Sequence, residues 1–261
     1  MVVFFDIDGT LVDDRTQIIP ESVGRCLKAL RSNGHLPVIN TGRPFSHIDP
    51  RIRAMDFGAW VCGCGMQVIL NGNSIYENLP EPEICSYAVD AVRNCRMQAV
   101  FEARNSTLLT DGDRSSNPVL QREIRRFEDR GFPVKDLSQL ERPEFIKMAT
   151  FDEADSQHEQ FKTLMAPWFT CIEREHTMLE LVKRGCSKAR GMEILLEHLG
   201  VTRKDTLAIG DSTNDLPMFE AAEHTVCMGN GTESVKVLAE YVTGAVLEDG
   251  IENALKHYGL I

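Results

Sequence analysis

Two aspartates one residue apart, Asp6 and Asp8, end an apolar run in the segment VVFFDIDGTLVDD. Two more, Asp211 and Asp215, follow the run TLAIG. Thr41, Gly42 and Arg43 follow the run LPVIN, and Lys188 precedes the helix-like stretch ARGMEILLEHLG. Carboxylates gathered in one pocket are costly unless a cation neutralises them. Hard oxygen donors at a few positions suit Mg²⁺, which keeps several waters and also binds substrate phosphate. A carboxylate beside such a metal can act as a covalent nucleophile, and a second can carry a proton to and from a leaving oxygen. The Thr41 hydroxyl and nearby amides suit phosphate oxygens. Lys188 suits a compact positive charge placed near phosphate or nucleophile.

These residues converge only if the elements before them are neighbours. Val2–Asp6, Leu36–Asn40 and Trp60–Cys62 read as short buried strands, and TLAIG and TVCMG repeat the pattern near the C-terminus. Between them, Val23, Cys26, Leu27 and Leu30 form one helical face, as do Met192, Leu195, Leu196 and Leu199. Strands alternating with helices predict an α/β, Rossmann-like parallel sheet with helices on both faces. Such sheets bind ligands at the carboxyl ends of their strands, where Asp6, Thr41 and Asp211 fall. Asp6 and Asp8, two apart, would share one side of an extended chain and complete a pocket of four carboxylates.

The middle of the chain has a different grammar. EICSYAVDAVRNC reads as a helix, MQAVFEA and STLLT as a hairpin, and further helices near Pro118–Arg130 and Ser156–Met165 alternate with strands FIKMATF, WFTCIE and MLELVK. The expected plan is a core over 1–79 and 185–261, split by an inserted α+β module over 80–184.

The sequence resembles the haloacid dehalogenase superfamily of phosphohydrolases. FFDIDGTLVDD, VINTGRP, GCSKARGMEIL and AIGDSTNDLPMF match its four motifs in order. The wide gap between the second and third, with Asn214-Asp215 and the closing HTVCMGNGTESVK and LEDGIENAL, resembles the Cof-type branch. The resemblance implies Asp6 as nucleophile and Asp8 as general acid and base, the latter also binding Mg²⁺ through its backbone carbonyl. It implies Thr41, Gly42 and Lys188 on the phosphoryl group, Asn214 on phosphate or orienting Lys188, and Asp211 with Asp215 at the metal. It implies hydrolysis of a phosphomonoester, often a sugar phosphate, through phospho-Asp6, with the inserted module as a selectivity cap. Two positions depart from the branch: Cys64 stands where asparagine is expected, and Gly231 where alanine is usual.

Bulk properties narrow the partners. The 261 residues are 43% hydrophobic, enough for a sizeable core. A formal net charge of −11 with no basic stripe argues against nucleic acid and anionic membranes. The apolar N-terminal run is short and ends in acid, unlike a secretion signal, and no run of about 18 apolar residues predicts a membrane span. The eight cysteines form no Cys-x-x-Cys pair and read as reduced thiols of a cytoplasmic protein. A metal or redox role for Cys62 and Cys64 is the less favoured reading. Asp111-Gly112-Asp113 reads as a turn, the histidines show no metal spacing, and Arg43 reads as a contact to substrate or cap or, at least as readily, as an exposed salt bridge. The expected partner is a small phosphorylated metabolite; oligomeric state has no signal. Two other functions use the same residues: phosphoryl transfer to a sugar, as in a phosphomutase, and non-catalytic binding of a phosphorylated ligand.

Overall fold

The computed structural model describes residues 1–105, 107–110, 117–139, 142–174 and 178–261. The chain divides into two compact units. One comprises Met1–Arg43, Pro50–Glu77 and Ser187–Ile261; the other comprises Pro44–Asp49 and Asn78–Cys186.

In the first unit the chain opens with strands β1 (Val2–Phe5), β2 (Leu36–Asn40), β3 (Ala59–Cys62), β4 (Gln67–Leu70) and β5 (Asn73–Glu77). The second unit supplies β6 (Gln98–Glu102), β7 (Leu108–Thr110), β8 (Val134–Asp136), β9 (Lys147–Phe151), β10 (Phe169–Glu173) and β11 (Met178–Lys183). The chain then returns to the first unit with β12 (Thr206–Gly210), β13 (His224–Cys227) and β14 (Tyr241–Val242).

The sheet of the first unit runs β14-β13-β12-β1-β2-β3-β4-β5. It is parallel from β14 to β3, as expected, and then turns antiparallel through β4 and β5. That edge hairpin was not expected from periodicity. Its strands are half exposed, so they lack the continuous apolar run of the central strands. Asn71 and Gly72 join them with φ of 50° and 80°, the left-handed pair that a two-residue hairpin turn needs.

Burial alternates along β1. Val2 and Phe4 pack with Met192, Leu195 and Phe219, beneath helices Lys188–Leu199 and Leu216–Ala221. Val3 and Phe5 are one residue out of phase and also fully buried, so they face the other side. Helix Glu21–Ser32 lies against β2 and against helix Gly250–His257, burying the Val23, Cys26, Leu27, Leu30 stripe. The result is a mixed sheet with helices on both faces.

The second unit is α+β, with sheet order β10-β11-β9-β6-β7-β8. All its pairings are antiparallel except β7 with β8. Helices Pro82–Asn94 and His158–Met165 cover one face through Cys85, Ala88, Val92, Phe161 and Met165. Helix Pro118–Asp129 covers part of the other with Leu120 and Ile124. Glu180, 8% exposed, is held by Lys147 and Arg174 on this sheet, both at 2.5 Å. The expected turn at Asp111-Gly112-Asp113 lies outside the described residues. No described helix is long and apolar enough to cross a membrane.

Candidate active site

Parallel register brings the expected strand ends together in the first unit. Phe5 of β1 lies beside Ile39 of β2 and Ile209 of β12. Asp6, Thr41 and Asp211 therefore leave the sheet side by side, and the Asp6 amide donates to the Ile209 carbonyl at 3.0 Å. Gly9, at φ +72°, turns the chain immediately beyond; a Cβ there would sit 2.6 Å from the Asp211 carboxyl carbon. Only glycine lets the first loop approach Asp211 so closely.

Lys188 is the hub. It opens helix Lys188–Leu199, whose N-cap Ser187 accepts from the Arg190 amide at 3.0 Å. Asn40 at the end of β2 donates to the Lys188 carbonyl at 3.2 Å. The Lys188 Nζ, 2% exposed, donates to Asp6 Oδ1 at 2.6 Å and to Asp215 Oδ1 at 2.5 Å. The other Asp215 oxygen accepts from the amides of Asp211 and Ser212 at 2.9 and 3.1 Å. Asp215 thus fixes both the lysine and the turn that presents Asp211.

One carboxylate oxygen each from Asp6, Asp211 and Asp215 lies within 4.8 Å of the others, all buried. Lys188 offsets a single charge of the three. Burial, opposed by Lys188 but reinforced by Asp215 and Asp8, raises the Asp6 carboxyl to about 7. Burial, together with Asp6 and Asp215, raises Asp211 to about 8. Lys188 moves up as well: burial disfavours its charge, but Asp215 and Asp6 outweigh that. A donor set of oxygens with surplus negative charge fits a divalent hard cation, and these three carboxylates could hold Mg²⁺.

Asp8, whose charge adds to that of Asp215 in raising Asp6, lies just past the end of the strand. β1 stops at Phe5, so the two-residue alternation of a strand does not extend to Asp8. Its carboxylate is gripped by the Arg43 guanidinium, which donates through Nε at 2.8 Å to one oxygen and through a terminal nitrogen to the other. Thr41 is buried at the end of β2; its amide donates to Val61 O at 2.9 Å, and its hydroxyl oxygen accepts from the Arg43 amide at 3.2 Å. Gly42 lies between them in the same turn. Asn214 accepts from the Ser212 hydroxyl at 2.9 Å, while Lys188 is oriented by Asp6 and Asp215.

Sequence reasoning undervalued Arg43 and missed Asn230. The Asn230 side chain donates to Gly9 O at 2.7 Å and accepts from the Val246 amide at 3.0 Å, tying the Asp8-Gly9 turn to a distant loop. Its only sequence signal was its place in Met228-Gly229-Asn230-Gly231. Of the two departures from the branch pattern, Gly231 has a local cause and Cys64 has none in its backbone. Cys64 has φ 54°, a conformation asparagine adopts readily, and its amide holds the Thr41 carbonyl at 3.0 Å. A Cβ on Gly231 would meet Cys227 Sγ at 2.6 Å and the Asp211 carbonyl at 2.7 Å. Burial pushes the Cys62 thiol up, the opposite of what a reactive or metal-binding thiolate needs.

Comparison with known proteins agrees with this geometry. The model of the haloacid dehalogenase-like hydrolases matches residues 3–255. YkrA of Bacillus subtilis strain 168, which carries a provisional phosphatase name, is 30% identical over 100% of this chain and 98% of its own length. YitU of the same strain, a 5-amino-6-(5-phospho-D-ribitylamino)uracil phosphatase, is 26% identical over 98% of this chain and 97% of its own. The solved structure of BT4131, a sugar phosphatase of haloacid dehalogenase subclass IIB, matches with a TM-score of 0.80 at 26% identity, covering 100% of this chain and 99% of that one. With strand ends, lysine hub and whole-length likeness in agreement, the chain belongs to the haloacid dehalogenase-like hydrolases, as an enzyme of their Cof-type phosphatase branch.

Proposed function

We propose that the protein hydrolyses a small phosphomonoester, a sugar phosphate or similar metabolite, in two steps through phospho-Asp6, with Mg²⁺ as cofactor. The observation that carries this reading is the buried Asp6–Lys188–Asp215 array with Asp211 alongside. A buried carboxylate fixed by a lysine at 2.6 Å has one oxygen oriented and the other left to attack. In the first step that oxygen attacks phosphorus, the ester P–O bond breaks, and Asp8 gives its proton to the departing alkoxide. In the second, Asp8 takes a proton from water, which attacks phospho-Asp6 and releases inorganic phosphate.

Thr41, Gly42, Lys188 and Asn214 hold the phosphoryl oxygens in this scheme. Asp6, Asp211, Asp215 and the Asp8 backbone carbonyl are the metal ligands. A bound Mg²⁺ screens the incoming phosphate from the nucleophile and stabilises charge on the transferring group. The substrate class is suggested by the named activities of BT4131 and YitU, and residues 80–184 are proposed as the selectivity module. The test is a panel of phosphomonoesters with Mg²⁺, run on the wild type and on Asp6→Asn. Phosphate release by the wild type and none by the variant is expected; release by Asp6→Asn at wild-type rate would remove the nucleophile from the scheme.

A further inference from the structure

We propose that Arg43 is a positioning residue for Asp8, setting the geometry from which Asp8 protonates the leaving oxygen. The inference rests on the roles just proposed for Asp6 and Asp8. Asp8 lies past the end of β1, and its side chain is 39% exposed. Its carboxylate plane is set by a side chain from another loop. That side chain is Arg43: two nitrogens of one planar guanidinium reach both Asp8 oxygens. Such a fork sets orientation as well as distance, which a lysine ammonium cannot do.

Arg43 is itself anchored through its backbone amide and carbonyl. Its side chain is only 14% exposed. Its amide donates to the Thr41 hydroxyl oxygen at 3.2 Å, and its carbonyl accepts from the Gly63 amide at 2.8 Å. The turn after β2 therefore couples two jobs: Thr41 faces the phosphoryl group and Arg43 orients the acid. The pair also keeps the Asp8 carboxylate occupied, apart from the Lys188 hub that serves Asp6 and Asp215.

The experiment compares kcat/KM for two aryl esters of similar shape, phenyl phosphate and p-nitrophenyl phosphate, in the wild type, Arg43→Ala and Arg43→Lys with Mg²⁺. The nitrophenolate leaves without a proton; the phenolate needs one. Of the roughly 10²–10⁴-fold that general acid catalysis supplies, both variants should lose at least about tenfold more on phenyl phosphate than on p-nitrophenyl phosphate. Adding Arg43→Ala to Asp8→Asn should cost phenyl phosphate nothing further, since the two act as one unit. An equal loss on both esters, restoration by lysine, or additive losses would overturn the inference. The ratio of the two esters within one preparation does not depend on the fraction folded, and Arg43→Gln supplies it if Arg43→Ala is insoluble. Turnover by Asp6→Asn would instead bring down the underlying reading and leave Arg43 aside.

Discussion

Cation binding at the carboxylate trio should displace protons, and the amount follows from the site. Without metal, Asp6 titrates at about 7 and Asp211 at about 8, both far above the ordinary carboxylate range. At pH 6 Asp6 is therefore protonated by about tenfold and Asp211 by about a hundredfold. Mg²⁺ needs both ionised, so its apparent affinity at pH 6 is lowered by about a thousandfold, or about 4 kcal/mol, relative to alkaline solution. Affinity should climb steeply from pH 6 to 8 and level off above about 9. Isothermal titration calorimetry with Mg²⁺, repeated in two buffers of different protonation heat, counts the protons: close to two released near pH 6, and none near pH 9. The sign for stability follows from the same shifts. The folded state binds protons more tightly than the unfolded chain, so the metal-free protein should lose stability as pH rises from about 4 to about 8, and Mg²⁺ should restore it increasingly over that window. An affinity flat between pH 6 and 9, with no proton release, would refute the electrostatic account of the trio.

The remaining expectations concern single positions. Burial would raise Glu180, but Lys147 and Arg174 prevail and hold it near 2; its roughly 3 kcal/mol contribution should be present above about pH 4.5 and vanish as pH falls toward 2, and Glu180→Gln should remove it, read by hydrogen exchange in β9 and β11. Gly231→Ala should cost about 1–3 kcal/mol by crowding the Asp211 carbonyl and Cys227, seen as a lower thermal midpoint; an unchanged midpoint would show that the loop yields freely. Cys64→Asn should be neutral or stabilising by a few tenths of a kcal/mol, since asparagine accepts the left-handed backbone at φ 54°; a loss above about 1 kcal/mol in urea titration would assign the Cys64 thiol a packing role.

The parts legible in the sequence were those governed by local pattern. Apolar runs ending in Asp6, Asn40 and Gly210 announced parallel strands, and their common register brought Asp6, Thr41 and Asp211 together without any further signal. Lys188 was legible as a charge at a helix start, but its choice of Asp215 over Asn214 was not, because one residue in a tight turn reverses which side chain points inward. The grip of Arg43 on Asp8 was not legible either, because strand alternation ends at Phe5 and says nothing about the turn that follows. The β4–β5 hairpin carried its Asn71-Gly72 turn in plain text, yet its half-exposed strands hid the pairing. The grouping of Pro44–Asp49 with Asn78–Cys186 depends on tertiary contact and has no local marker. Asn230 likewise acts 221 positions from Gly9, a separation no periodicity can report.

Everything proposed for catalysis requires two successive displacements at phosphorus, the first by Asp6 and the second by water. Hydrolysis of a phosphorothioate monoester made chiral at phosphorus with two oxygen isotopes, in water enriched in the third, separates this from direct attack by water. Two in-line displacements give retention of configuration in the chiral inorganic thiophosphate released, and retention is the expected result. Inversion would mean that water attacks the ester in a single step and that Asp6 never carries the phosphoryl group.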